Sequence, residues 1–311
     1  MELYFFGTGA GTPTKARNVT SIALRLLEER GVFWMFDCGE GTQHQVLHSP
    51  LKLGRLEKLF VTHLHGDHLY GIPGLLTSRS YKGGESGLDV YGPPGIREAI
   101  ETILKVSEAQ LSYELAIHEI AEGVVFEDQQ FIVETLKLEH RIDSYGYRVT
   151  EKPRPGRLQV EKLLALGVKP GPILGKIKHG ENVTLDDGTV IHARDFVSAD
   201  IPGRIVTVLG DTRPCENAVR LGENADVLVH EATFAGDLGD LARKYFHSTV
   251  GQAATAALEA KAKALIMTHI STRYQPEDEE RLLAEAKKIF AESHIARDFW
   301  SFPIPNVKYA E

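Results

Sequence analysis

The stretch Phe60–Gly71 reads FVTHLHGDHLYG and sets three histidines and an aspartate, His63, His65, Asp67 and His68, directly behind an apolar run. The run before it, LFV, has strand character. Gly66 lets the backbone turn tightly between His65 and Asp67. A lone histidine at a strand end is ordinarily a surface residue or a satisfied core residue. Four such groups side by side are different, because removing that many titratable side chains from water is costly unless a cation binds them. The stretch therefore predicts a strand that ends in a metal site.

Other apolar runs end the same way. GVFWMFDCGEG stops at Asp37, TLKLEH at His140, GRIVTVLGDTR at Asp211, ADVLVHEATF at His230 and Glu231, and AKALIMTHIS at His269. Each opens with strand-like apolar or β-branched residues, and helical patterns lie between several of them, so an α/β layered architecture is expected. In such sheets, polar groups at the carboxyl ends of strands converge on one crevice. In TLKLEH, Leu136, Leu138 and His140 share one face by alternation, so the histidine continues the core-facing row.

His63, His65, Asp67, His68, His140, Asp211 and His269 make seven nitrogen or oxygen donors without a thiolate. One ion takes about four ligands, so seven suit two ions sharing a carboxylate. His63 and His65 can serve one ion, and Asp67 and His68 the other. Imidazole and carboxylate together favour Zn²⁺, though Mn²⁺ and iron accept the same donors.

The chain has 311 residues, 42% of them hydrophobic and 25% charged, which suits one large α/β domain with a substantial core. No apolar run approaches the roughly 20 residues of a membrane span. MELYFFGTGAGTP lacks the basic start of a signal peptide and reads as a first strand, so a cytoplasmic protein without export is expected. Cys38 and Cys215 fit a reducing compartment as small packing residues.

Net charge is −8, which alone argues against a general nucleic-acid binder. The charge is uneven. Arg148–Lys178 holds eight Lys/Arg against two acids, a local +6 that leaves −14 for the rest. Residues 148–192 also hold Pro153, Pro155, Pro170 and Pro172 and break the strand–helix rhythm. They read as a basic insertion, an arm at about 150–192, in an otherwise single domain spanning 1–311. Helices are expected from Pro94 to Gln110, from Ser248 to Lys263 with a Ser-Thr cap, and from Pro276 to Phe290.

THLHGDH resembles the signature of the metallo-β-lactamase fold superfamily. Within it, FFGTGAGTPTKARN, FDCGEGTQ, FVTHLHGDHLYGIPGLL, GDTR, HEATF followed by HST, and THIS resemble, in that order, the ribonuclease Z family from Phe5 to Ser271. The resemblance implies a metallo-β-lactamase-like four-layer αβ/βα sandwich with a protruding basic arm. It implies two Zn²⁺ per subunit: one ion on His63, His65 and His140, the other on Asp67, His68 and His269, with Asp211 bridging.

The implied activity is zinc-dependent removal of the 3′ trailer from precursor tRNA. Metal-activated water attacks, leaving a 3′-hydroxyl on the tRNA and a 5′-phosphate on the trailer. Asp67 accepts a proton, His247 gives one to the departing oxygen, and Glu231 holds the His247 tautomer. Lys15, Arg17 and Arg273 are expected to contact phosphates. The arm resembles the family's flexible tRNA-gripping arm, and a homodimer is implied.

His230 either lines the site or supports it, and Asp37 reads as a carboxylate that supports a ligand or fixes a loop, not as a ligand itself. His44 and His48 sit four apart without the glutamate of a zinc-protease helix, and read as structural or surface residues. A rival reading is a hydrolase of small phosphodiesters or lactones on the same fold, which would need neither the arm nor HST. A di-iron redox protein would need an electron-transfer domain, and a non-catalytic RNA binder would lack metal ligands.

Overall fold

A computed structural model describes residues 1–306 of the chain. The chain divides into two compact units, one built from Met1–Thr150 and Ile205–Pro305, the other from Glu151–Arg204 with Asn306.

The first unit holds two seven-stranded sheets. One contains β1 (Glu2–Gly7), β2 (Ser21–Leu26), β3 (Val32–Phe36), β4 (Leu56–Phe60), β5 (Leu88–Gly92) and β6 (Leu115–Glu119). The other contains β7 (Gly123–Glu127), β8 (Phe131–Leu138), β9 (Ser144–Glu151), β12 (Ile205–Leu209), β13 (Val227–Glu231), β14 (Leu265–Thr268) and β15 (Ser293–Ile295). β16 (Ser301–Pro303) returns to the first sheet, antiparallel to β1. The second unit contributes the short hairpin β10 (Val183–Thr184) and β11 (Val190–Ile191).

Each sheet carries a parallel block, β3–β4–β5–β6 in one and β12–β13–β14–β15 in the other. Sequence explains the layering. VFWMF of β3 looks uniformly apolar, yet Trp34 and Phe36 face the layer between the sheets while Phe33 and Met35 face the helices. In β14, Ile266 turns to the inter-sheet core and Leu265 and Met267 to the outer one. Strands buried on both faces read as continuous apolar runs, and period two sorts them into separate cores.

The outer face of the first sheet is covered by α1 (Thr42–Leu47), α3 (Ile72–Tyr81) and α4 (Ile96–Val106), with the single turn α2 (Gly66–Leu69) ahead of α3. The outer face of the second is covered by α7 (Glu216–Gly222), α9 (Val250–Glu259) and α10 (Glu279–Lys287), with α8 (Gly239–Tyr245) ahead of α9. This is the expected helix–sheet–sheet–helix sandwich. The expected cap of α9 is present as a capping box: Gln252 N–H donates to Thr249 Oγ1 at 3.2 Å and Thr249 N–H to Gln252 Oε1 at 2.9 Å.

An aromatic cluster sits under the carboxyl end of β4. Phe60 stacks on Phe36 (5.3 Å) and Tyr91 (5.0 Å) and leans on Tyr147 (5.2 Å). The Tyr147 hydroxyl donates to the Val61 carbonyl at 2.7 Å, pinning the backbone two residues before His63.

The second unit contains α5 (Val160–Ala165), α6 (Pro172–Lys178) and the hairpin around a small core of Leu163, Val168, Ile177, Ile191 and Ala193. Ile173 and Leu174 pack against that core. A bidentate ion pair, Arg204 Nε to Glu151 Oε2 at 2.7 Å and Arg204 Nη2 to Glu151 Oε1 at 2.9 Å, is buried within it. Arg148 lies in β9 and donates to the carbonyls of Leu221 and Glu223, so its charge belongs to the first unit. Cys38 and Cys215 are both free thiols. Among the described residues, no helix is long and apolar enough to cross a membrane.

Phe60→Ala deletes a wholly buried ring and its contacts with four aromatic neighbours, Trp34, Phe36, Tyr91 and Tyr147. A loss of about 3–5 kcal/mol is expected in equilibrium denaturation; a loss under about 1 kcal/mol would deny the cluster a stabilising role.

Candidate metal centre

The loops after β4, β8, β12 and β14 bring all seven expected ligands together. His65 Nδ1 lies 3.1 Å from His63 Nε2 and 3.2 Å from His140 Nε2. His269 Nε2 lies 3.3 Å from His68 Nε2, 3.3 Å from Asp67 Oδ2 and 3.3 Å from Asp211 Oδ2. Asp211 Oδ2 is also 3.6 Å from both His63 Nε2 and His68 Nε2, and 4.0 Å from His140 Nε2. It thus faces both histidine groups from one oxygen.

Ring nitrogens this close are informative only if their protons are known, and the surroundings assign them. Asp37 Oδ2 accepts from His68 Nδ1 at 2.7 Å and from Thr62 Oγ1 at 2.8 Å. The Thr62 hydroxyl spends its one proton on Asp37, so it accepts from His63 Nδ1 at 2.9 Å. His140 Nδ1 donates to the Phe246 carbonyl at 2.9 Å. His63, His68 and His140 therefore all turn their Nε2 atoms inward. Ligands at about 2.0–2.1 Å on a tetrahedral ion stand about 3.4 Å apart, so the donor set fits zinc-like ions. The donors fall into one group of His63, His65, His140 and Asp211 and another of Asp67, His68 and His269.

Electrostatics divide the rings: burial would lower the His68 pKa, but Asp211, Asp37 and Asp67 outweigh it and raise it well above the usual imidazole range. Burial, reinforced by neighbouring imidazoles, lowers the pKa of His63 and of His65. Burial also lowers that of His140, so these rings favour the neutral, ligating form. Burial pushes the Asp67 and Asp211 carboxyls up, but the facing histidines overcome it and hold both well below the usual range.

Beside these donors stands Glu231, wholly buried at the end of β13. It accepts from the amides of Thr212 (3.2 Å), Thr233 (3.1 Å) and Ser248 (3.0 Å), from Thr233 Oγ1 (2.9 Å) and from His247 Nδ1 (2.9 Å). Burial would lower the His247 pKa, yet the Glu231 carboxylate outweighs it and raises the ring to about 9. His247 Nδ1 is 3.9 Å from Asp211 Oδ2, which puts this imidazolium at the edge of the metal site.

A cavity of about 270 Å³ opens over these groups, with Gly11, Arg141, Phe234 and Tyr245 on its wall. Roomier hollows of about 520 and 940 Å³ lie elsewhere but hold no converging donors; chemistry, not volume, marks the site.

The expected phosphate contacts separate. Arg273 is exposed with its guanidinium 5.8 Å from the Phe234 ring, beside the cavity. Lys15 is exposed on the loop after Gly11, whose amide donates to Asp67 Oδ2 at 2.7 Å. Arg17 is a correction. It is 7% exposed and donates to Thr8 Oγ1 (2.5 Å), the Ala296 carbonyl (2.7 Å) and Glu279 Oε1 (2.5 Å), so it braces the loop and offers nothing to a phosphate. His230 is buried, its Nδ1 donating to the Glu231 carbonyl at 2.6 Å, and does not line the cavity. His44 and His48 are exposed on α1, their rings 4.8 Å apart. Thr62 and Thr233 escaped the sequence reading because a threonine carries no spacing signal. Arg141 was hidden beside His140.

Residues 1–152 match a family model described as the anti-Pycsar protein Apyc1. Over 98% of its length the chain is 58% identical to a curated ribonuclease Z of Anoxybacillus flavithermus, covering 97% of that protein. It is likewise 58% identical over 98% of its length to a ribonuclease Z of Geobacillus kaustophilus, covering 99% of it. Among solved structures, the short form of human tRNase Z aligns with 98% of this chain and 100% of its own, at 31% identity and a TM-score of 0.72. A metallo-β-lactamase fold protein of Bacillus subtilis aligns with 97% of this chain and 98% of its own, at a TM-score of 0.67 and 18% identity, a likeness of fold.

Asp37→Asn replaces one of the two carboxylate oxygens that hold His68 and Thr62. Zinc affinity, read by competition with a chromophoric chelator, is expected to fall about 10–100-fold. Unchanged affinity would show that Asp37 does not orient the ligands.

Proposed function

This chain belongs to the ribonuclease Z family and is an endoribonuclease of tRNA 3′ processing, and we propose that it cuts precursor tRNA by zinc-dependent hydrolysis at the site above. The observation that carries this reading is the pairing of seven converging donors with a buried carboxylate–imidazolium couple at their edge.

His63, His65 and His140 would hold one ion and Asp67, His68 and His269 the other, with Asp211 between them. Bound there, two divalent ions supply an acidified water and neutralise charge gathering on the phosphoryl oxygens. The chain's own groups do the rest. Asp67, kept ionised and steadied by the Gly11 amide, accepts the proton of the attacking water. His247 points its Nδ1–H at Glu231, which leaves Nε2–H to protonate the departing 3′ oxygen. The products would be a 3′-hydroxyl tRNA and a trailer with a 5′-phosphate.

Arg273, Lys15 and the newly placed Arg141 would meet phosphates near the scissile bond. The second unit would grip the tRNA body: Arg157, Lys162, Lys169, Lys176 and Lys178 are all exposed on it, and backbone contacts of this kind bind without reading sequence. A homodimer is part of the proposal, and a hollow of about 520 Å³ walled by Leu69, Tyr70, Pro73 and Ile103 offers an apolar face for a second copy. We place the reaction in the cytoplasm, where precursor tRNA is matured.

The deciding assay uses a precursor tRNA with a 3′ trailer. Cutting should stop with a chelator and in Asp67→Ala. Deleting 153–179 should abolish tRNA cutting but spare hydrolysis of a small chromogenic phosphodiester. A protein that ignores the precursor yet hydrolyses the small ester or a lactone would be the rival hydrolase.

The acid has its own signature. His247 must be protonated to act, so kcat/KM should fall as pH rises through about 9. In Glu231→Gln the supporting charge is gone, the His247 pKa drops, and this alkaline limb should move to lower pH. An unmoved limb would remove His247 from the acid role.

A further inference from the structure

Thr233, in the motif HEATF, is buried and has no part in the steps above. Its Oγ1 stands 2.9 Å from Glu231 Oε2, 2.9 Å from His269 Nδ1 and 3.4 Å from His247 Nδ1. A hydroxyl has one proton, and an ionised carboxylate can only accept. The proton therefore goes to Glu231, and the short contact with His269 is satisfied only if Nδ1–H donates to Thr233. His269 Nε2 is then left as a lone pair aimed at Asp67, Asp211 and His68.

We infer that Thr233 is a positioning residue that ties the metal ligand His269 to the same buried carboxylate that holds the acid His247. Glu231 thereby sets two imidazoles at once, His247 directly and His269 through one hydroxyl. The Thr233 amide also donates to Glu231 Oε2 at 3.1 Å, so the hydroxyl cannot swing away without breaking a two-point grip. The first sheet repeats the arrangement: Asp37 grips the amide (2.7 Å) and hydroxyl of Thr62, and Thr62 accepts from His63. Each ion then has one histidine oriented through a carboxylate–threonine pair, one pair from each sheet. The inference rests on the proposed roles of His269 and His247.

The test compares Thr233→Val, Thr233→Ala and Thr233→Ser, each read without RNA by zinc competition against a chromophoric chelator and by the visible spectrum after cobalt loading. Valine keeps the shape and alanine avoids crowding, but both lose the hydroxyl. In both, one of two ions should bind about 10–100-fold more weakly, with an altered cobalt spectrum. Serine should stay within about threefold of the parent, as a rescue by the hydroxyl alone. Parent-like affinity in the valine or alanine protein overturns the inference, as does a serine protein that loses as much as they do. A general loss of structure would depress both ions and the melting temperature together in all three proteins, which also overturns it. A parent protein that takes up no zinc would instead strike the metal-centre reading, which the chelator arm of the precursor assay decides independently.

Discussion

The arrangement on which the rest of this protein depends is a set of imidazole nitrogens held facing one another and two carboxylates. Asp37, Thr62 and the Phe246 carbonyl take the Nδ1 protons of His68, His63 and His140, which turns their Nε2 atoms inward. So many titratable groups taken out of water together are costly to hold in place. The arrangement persists because each ring is fixed from behind by groups that belong to the fold. The site is preorganised for a charge it does not itself contain, and the framework bears the cost of that preorganisation.

Part of that cost is visible in the backbone. Asp37, Phe246 and His269 all have positive φ, at 56°, 61° and 56°. None is glycine, and such conformations are uphill by about 1–3 kcal/mol each. Each does something specific. Asp37 follows β3 and turns its carboxylate under the first histidine loop. Phe246 closes α8, aims its carbonyl at His140 and sends His247 toward Glu231. His269 leaves β14 and meets both carboxylates. Parallel strands buried on both faces hold these turns, with the Phe36–Phe60–Tyr147 cluster directly beneath. The core's rigidity is what makes strain at the rim affordable.

Legibility in the sequence followed locality and residue type. The seven converging donors could be read because histidines and acids are rare directly behind apolar runs, and four of them are nearly contiguous. The two sheets could be read because unbroken apolar runs imply burial on both faces. Arg17 could not be placed: in a loop with Lys15 it looks like a phosphate contact, and its partner Glu279 is far away in sequence on α10. Thr62 and Thr233 were invisible for another reason, since threonine is common and its role here is the direction of one proton. Asp37 was legible as a carboxylate that supports a ligand or fixes a loop; that it meets His68 needed the geometry. Ile177 lies in the small core of its own unit, with Ile173 and Leu174 packed against it.

Glu231 deserves a different reading from a relay base. It is saturated by five donors, and although burial opposes ionisation, His247 keeps its pKa low. A carboxylate so engaged has no free lone pair directed at the substrate and little tendency to take a proton. Its contribution is to keep His247 charged and oriented, so in the proposed reaction the proton for the leaving oxygen would come from the ring and be replaced from solvent across the open cavity. The two proposed roles are thereby separated in space. Asp67, beside the Gly11 amide, would face the incoming water, and His247, just after α8, the departing oxygen. A metal site of this kind is compatible with many esters, and a fold alone does not choose among them. In the proposed reading the choice would fall to features outside the ligand set: a pre-charged acid for a poor alkoxide leaving group, cations at the cavity rim, and a basic unit able to hold a large polyanion.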